Sequence, residues 1–406
     1  VEDWIEKYLA ATSGMASPEI FRLWAGISAV AGALERRCWV ETNVGPPTFP
    51  NLYVMLVAPP AIGKTQAITP ALNIMTQCTD LNIAPGSMTK AAVIDTLRDA
   101  RRIVTLPGNT EILEYHSLQI LVGELAVFVN SHDLEFLGVI NEIFDNPTVF
   151  RERRRHVNGG REIQITHPQF NIICGAQPAL LSSILPEEAW GLGTTARFIM
   201  IFTEEKVRPE LFGTVINRKV SYEELAQHMQ TWTSLYGKFH WEDAAAEVMR
   251  KYYRESDSGP IPVPDSPKLL HYNGRRVQFM IKLAMISAVS RASNLVIDEY
   301  DVERARFWLL TAEATMPGIF SSMSLKTDAQ LLEEMHIWAW KEYRAKGLVP
   351  LHDSGLHEFL QHRVYSERIP KIIDIAKKSH LIEDLNYGMY KPSPRLDLGA
   401  SILKGQ

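Results

Sequence analysis

Apolar residues recur at helical spacing through the first part of the chain: Trp4, Ile5, Tyr8 and Leu9, then Ile20, Phe21, Trp24, Ile27 and Val30. A period of three to four residues puts each set on one face, so the spacing predicts two helices broken near Ser17-Pro18, with Ser17 as N-cap of the second. Cys38 to Val44 (CWVETNV) alternates and reads as a strand, closed by a turn at Gly45-Pro46-Pro47. Leu52 to Val57 (LYVMLV) is an unbroken apolar run, a buried strand, and a helix-like segment follows it to about Cys78. Ser87 or Thr89 is placed to cap a further helix through Ala91, Val93, Ile94 and Leu97. That helix ends in the mixed-charge run Arg98 to Arg102, either a solvated helix end or a nucleic-acid contact.

Two more buried strands follow, Leu118 to Leu125 (LQILVGEL) and Phe170 to Pro178 (FNIICGAQP), and the apolar run Ile199 to Phe202 makes a third. Residues 215 to 255 read as amphipathic helix, and the Pro-rich stretch 259 to 267 as a loop. A long apolar helix then runs to about Ala292, and another opens at Asp298. From about Lys326 the pattern shortens to helices at 328–346, 355–361 and 370–378, then two short strands turned at Asn386-Tyr387-Gly388. Three short helices and a terminal β-wing describe a winged helix.

Between the first buried strand and its helix lies Ala58 to Thr65, APPAIGKT. A strand, a tight turn and a helix whose first N–H groups face outward form a phosphate-binding loop. In such a loop Pro60, Ala61, Ile62, Gly63, Lys64, Thr65 and Gln66 would surround the phosphates of ATP, with Lys64 on the β- and γ-phosphates and the Thr65 hydroxyl on Mg²⁺. The usual first glycine is Ala58 here. Glu124 at the next strand tip is the candidate base for the attacking water, although its usual acidic neighbour is replaced by Gly123. Gln177 ends the Phe170 to Pro178 strand, where an amide can sense the γ-phosphate. Arg197, just before a buried strand, is either a helix cap or a finger reaching a neighbour's phosphate.

Val149 to Thr166 (VFRERRRHVNGGREIQIT) forms two polar arms around Asn158-Gly159, a type I′ hairpin signal. That turn would set His156 opposite Arg161 and Arg155 opposite Glu162. Arg151, Arg153, Arg154, Arg155 and Arg161 fall within eleven residues. So few apolar residues leave the hairpin no core to face, so it is a solvated excursion, a subunit contact or a polyanion contact.

Composition sharpens this. Asp plus Glu is 47 against 42 for Lys plus Arg, so any DNA contact has to come from a local patch such as the hairpin. The 46% hydrophobic content is that of a globular chain with a sizeable core. Cys38, Cys78 and Cys174 lack metal or disulfide spacing and fit a reducing cytosol. No leader or membrane-length apolar run is evident, and Val1 in place of methionine reads as a piece of a longer polypeptide.

The order of these parts resembles the AAA+ ATPases that carry a hairpin before the first sensor, and among them the minichromosome-maintenance replicative helicases. Arg275 ahead of Ile281-Lys282-Leu283, with Asp301-Val302 in the next helix, is similar to that family's lid. PNLYVMLVAPPAIGKT, SMTKAAVIDTL and GAQPALL also look like a family of phage and prophage helicases or primase-helicases. The resemblance implies an α/β AAA+ core at 46–215 after a helical segment at 1–45, a helical lid at 216–322 and a winged helix at 323–406. It implies a hexameric ring acting on single-stranded DNA with other replication proteins. Glu124, Lys64, Gln177, Arg197 in trans and Arg275 as second sensor would be catalytic, and Arg151 to Arg161 with His156 would touch DNA. The alternative is an ATP-switched helicase loader or origin-binding protein with weak hydrolysis. A chaperone-like remodeller, its hairpin meeting protein, is the third class.

Overall fold

The computed structural model describes residues 3–105, 112–130, 133–154, 161–184, 193–210, 220–256, 261–264, 266–361 and 368–393. The chain divides into two compact units, Val1–Phe320 and Ser321–Gln406.

The first unit is mixed α/β. Two helices, α1 (Trp4–Ala11) and α2 (Glu19–Leu34), precede β1 (Cys38–Thr42), β2 (Gly45–Thr48) and β3 (Tyr53–Val57). Then come α3 (Lys64–Met75), α4 (Lys90–Asp99), β4 (Arg101–Thr105), β5 (Ile112–Val122), α5 (Leu125–Phe128) and α6 (Leu134–Phe144). The hairpin strands β6 (Val149–Arg154) and β7 (Arg161–Thr166) lead into β8 (Pro168–Ala176), α7 (Pro178–Ile184) and β9 (Phe198–Phe202).

The central sheet has the order β4-β5-β8-β3-β9. β5, β8, β3 and β9 run parallel, and only β4 is antiparallel, pairing with β5. Every residue of β3 and β8 is buried, as expected of parallel strands covered on both faces. Register sets the strand ends level: Val57 lies opposite both Ala176 and Phe202. Whatever follows β5, β8, β3 and β9 therefore gathers along one edge of the sheet, and whatever precedes them along the other. A five-residue strand separates the two edges by about 16 Å.

Five local expectations are corrected. The helices expected to open at Asp298 and to span 328–346 are one helix, Glu299–Ala345. Ser17 does not cap α2: Pro18 holds that position, and Ser17, packed beside the loop at Gly63, keeps a buried Oγ with no hydrogen-bond partner. Gly45-Pro46-Pro47 is the start of strand β2, which prolines tolerate because it lies at the rim of its three-stranded sheet. Residues 98–102 are not one helix end, since Arg101 opens β4 and is held by Glu114 at 3.0 and 2.9 Å. The described residues of 215–255 hold two α-helices, Tyr222–Thr231 and Asp243–Glu255, with the short strands Gly237–Lys238 and His240–Trp241 between them.

The first of those strands pairs in parallel with β1, and the Lys282 ammonium donates to the Asn51 carbonyl and side chain at 2.7 and 2.6 Å. N-terminal helices, sheet and the long helix Arg276–Ala292 thus share one packed unit. Among the described residues no helix is long and apolar enough to cross a membrane.

The second unit packs the helices Asp353–Gln361 and Ile369–Lys378 against a three-stranded antiparallel sheet (Leu351–His352, Met389–Pro392, Ile382–Asp384). Its core includes Met335, Leu356, Leu360, Ile372 and Ile382. Asn386, Tyr387 and Gly388 all take positive φ at the strand turn, leaving Tyr387 99% exposed.

Candidate functional site

β3 delivers the loop at the carboxyl edge of the sheet. The Ala58 N–H donates to the Ala176 carbonyl at 3.1 Å, so the ladder runs one residue past the strand. The left-handed steps fall at Ala61 (φ +64°) and Gly63 (φ +93°) and not at Ala58, so the buried methyl at the loop's first position carries no backbone strain. Lys64 opens α3, which has no side-chain N-cap and no acidic residue in its first turn. The exposed N–H groups and the positive end of the helix dipole suit an anion. The Lys64 ammonium folds back over the loop, donating to the Ala58 and Pro59 carbonyls at 2.8 and 3.1 Å.

Neighbouring strand ends close on this loop. A Cβ at Gly123 would stand 2.8 Å from Thr65 Oγ1, and one at Gly175 would stand 2.2 Å from the Gly123 carbonyl. The missing acidic partner of Glu124 thus has a steric counterpart, because β5 runs too near Thr65 for a side chain there. Glu124 itself reaches the cleft, where Gln177 Nε2 donates to its Oε2 at 3.4 Å. Its Oε1 is buried with no hydrogen-bond partner. An orphaned carboxylate oxygen and the Thr65 hydroxyl on one cleft are donors that suit a hard cation such as Mg²⁺.

The cleft measures about 740 Å³ and is lined by Lys64, Thr65, Gln66, Glu124 and Gln177, with Pro60, Ala61 and Gly63 at the loop. Ile62 is buried, and its side chain is not part of this lining. Ala16, from the turn between α1 and α2, closes one wall. Lys206 and Arg208, from the segment after β9, also line it and were missed by sequence reasoning. The charged stretch Glu204 to Glu210, directly after a buried strand, was the available signal.

Arg197 and Arg275 lie at the other edge. Arg197 precedes β9, and Asn51, gripped by Lys282 of the helix that Arg275 caps, precedes β3. Both arginines converge on Asp145 at the end of α6, Arg197 at 2.5 Å and Arg275 at 2.8 Å. Burial opposes ionisation of this carboxyl, but hydrogen bonds and charge from Arg275 and Arg197 outweigh it and hold the Asp145 pKa below its ordinary value. A depressed carboxyl pKa contributes stability that is present above the ordinary value and is lost as pH falls through the depressed one. Acid titration of the first unit is therefore expected to lose this contribution only at the acid end, and Asp145→Asn to flatten stability against pH there. An unchanged acid limb in that variant would remove Asp145 from the account.

The hairpin pairs Arg153 with Glu162 and Arg154 with Arg161. This corrects the expected register, in which Arg155 faces Glu162, by two residues. It also has a core to face: Phe150, Ile163 and Ile165 alternate onto one buried side. Arg154 shares that side, donating to Asp95 and Glu152 at 2.8 Å each and to the Ala91 carbonyl at 3.0 Å, which docks the hairpin on α4. Arg151 and Arg153 project from the opposite, exposed side. Arg155, His156 and the side chain of Arg161 lie outside the described residues.

A scan against models of known protein families finds no match to this chain, and neither does a search of curated proteins.

Proposed function

We propose that the chain is a ring-forming, ATP-driven motor of the AAA+ type acting on single-stranded DNA, as in phage-type replication. What carries the reading is the convergence of Lys64, Thr65, Glu124 and Gln177, from three different strand ends, on one cleft at the open N-terminus of α3. Strand order supports it: the amide tip of β8 and, beyond it, the acidic tip of β5 stand on one side of the loop of β3, and the hairpin is inserted between α6 and β8. The second unit, with its turned strand pair, supports a winged helix.

In this reading the loop N–H groups and Lys64 bind the phosphates of ATP, and Glu124 takes a proton from the attacking water. Gln177, within reach of Glu124, orients that water. Thr65 would hold Mg²⁺, which when bound neutralises phosphate oxygens. Arg197, on the edge away from its own cleft, would serve a neighbouring copy's cleft. Arg275, beside it on Asp145, goes with Arg197 and not with the cleft of its own chain. Among the described residues, Arg151 and Arg153 are the exposed hairpin cations that would meet a phosphate backbone.

ATP hydrolysis measured with and without single-stranded DNA tests this. Hydrolysis stimulated by DNA is expected, and Lys64→Ala should lower it by about two orders of magnitude. Arg151→Ala/Arg153→Ala should remove the stimulation and reduce the salt slope of DNA binding by about 1.4, the equivalent of two neutralised phosphates. A chain that binds ATP but never hydrolyses it would favour the switched loader, the reading that Gly123 favours. DNA binding indifferent to salt would favour a remodeller of proteins.

A further inference from the structure

We infer that Lys206 and Arg208 hold the non-transferring phosphates of the bound nucleotide, setting its affinity and not the rate of its hydrolysis. The inference rests on the reading of the cleft as a nucleotide site and adds to it the residues that bind the ligand's other end.

Topology makes the assignment. Along the carboxyl edge the strand ends follow the order β5, β8, β3, β9, so Glu124 and Gln177 stand on one flank of the loop and the segment after β9 on the other. A phosphoryl group that reacts must lie between the loop and Glu124. The rest of the nucleotide then extends away from Glu124, toward the β9 flank, where Lys206 and Arg208 line the same cleft.

Charge points the same way. Among the described residues, the ionisable side chains that line the cleft are Lys64, Lys206 and Arg208 against Glu124 and Glu210. Without the two β9-flank cations the lining is net negative, which opposes a polyphosphate. Both side chains are exposed and neither forms an ion pair among the described residues. Long cationic side chains that end unpaired at a cleft mouth can engage phosphate without first giving up another partner. Arg275, at the opposite edge on Asp145, cannot supply this charge to its own cleft.

The test titrates fluorescent ADP and a non-hydrolysable ATP analogue, both with Mg²⁺, into the full chain, the Lys206→Ala/Arg208→Ala variant and the charge-preserving Lys206→Arg/Arg208→Lys variant. Both positions are exposed, so the melting temperature should stay near that of the natural sequence. The alanine variant should weaken both nucleotides to the same degree, roughly tenfold for each cation removed from the phosphates, and the charge-preserving variant should recover most of it. At saturating ATP its kcat should stay within about twofold, with the deficit appearing in KM. Unchanged affinity overturns the inference and leaves the cleft reading intact. So does a deficit confined to the triphosphate or to kcat, which would put these cations on the reacting phosphate. If the unaltered chain binds neither nucleotide, the cleft reading falls, and this inference falls with it.

Discussion

Gly63→Ala should abolish nucleotide binding while leaving the chain largely folded. At φ +93° Gly63 occupies a backbone region that costs an alanine about 1–2 kcal/mol. Sterics add to that, since a Cβ there would stand 2.1 Å from the Ala16 carbonyl oxygen and 2.9 Å from Ser17 Cα. Neither atom is the end of a flexible side chain. The Ala16-Ser17 turn is fixed between α1 and α2, and Tyr8 of α1 donates its hydroxyl to the Ala67 carbonyl of α3 at 3.2 Å. Relief comes most cheaply from the loop, by unwinding the turn that presents Lys64 and the first N–H groups of α3. Nucleotide affinity should therefore fall by at least about a hundredfold, about 2.8 kcal/mol, while the thermal melt still shows a cooperative transition. Ala58→Gly is the matched control. Ala58 needs no left-handed backbone, so glycine there should leave binding unchanged and cost about 0.4–1 kcal/mol through the unfolded chain. Binding retained by the Gly63 variant would mean that the loop does not touch the ligand.

The elements that position this cleft were legible because their signals are local. LYVMLV before GKT, an acidic residue after LQILVG and an amide after FNIICGA are each short patterns tied to one strand end. The hairpin was legible in place but not in packing. Phe150, Ile163 and Ile165 sit two apart or across from one another, the spacing of a buried strand face, but the arginines interleaved with them concealed it. Its described pairs, Arg153 with Glu162 and Arg154 with Arg161, are displaced by two residues from those an Asn158-Gly159 turn would set. Arg275 and Lys206 illustrate a different gap. Linear order does not tell which edge of a parallel sheet a segment reaches, and that follows only once β3, β8 and β9 are known to run together. A segment after a strand and a segment before one then part by a strand's length, which separated Arg197 and Arg275 from the cleft and brought Lys206 and Arg208 into it.

Glu313→Ala is expected to be the most destabilising single change in the first unit, at about 3–5 kcal/mol. Arg276 is fully buried at the start of its helix, with Nε donating to Glu313 Oε1 at 2.8 Å and Nη2 to Oε2 at 2.7 Å. Nη1 and Nη2 also donate to the Ser256 and Pro262 carbonyls, and the Tyr272 hydroxyl donates to Glu313 at 3.2 Å. Burial pushes the Glu313 carboxyl up, against the hydrogen bonds and charge of Arg276, which pull it down. The pair therefore stabilises little against an apolar alternative, yet losing one member strands a guanidinium in the core. Two variants separate these statements: Glu313→Ala should melt roughly ten degrees lower, whereas Arg276→Met/Glu313→Leu should recover most of that loss. Equal destabilisation of both would mean that the pair is a net stabiliser, and no loss in either would mean that water reaches the site. The effect should also reach the cleft. Thr315, two residues on, accepts from the Phe202 N–H at 3.0 Å at the end of β9, four residues ahead of Lys206. A Glu313→Ala chain that is still folded should accordingly bind nucleotide more weakly, and the double replacement should restore affinity together with stability.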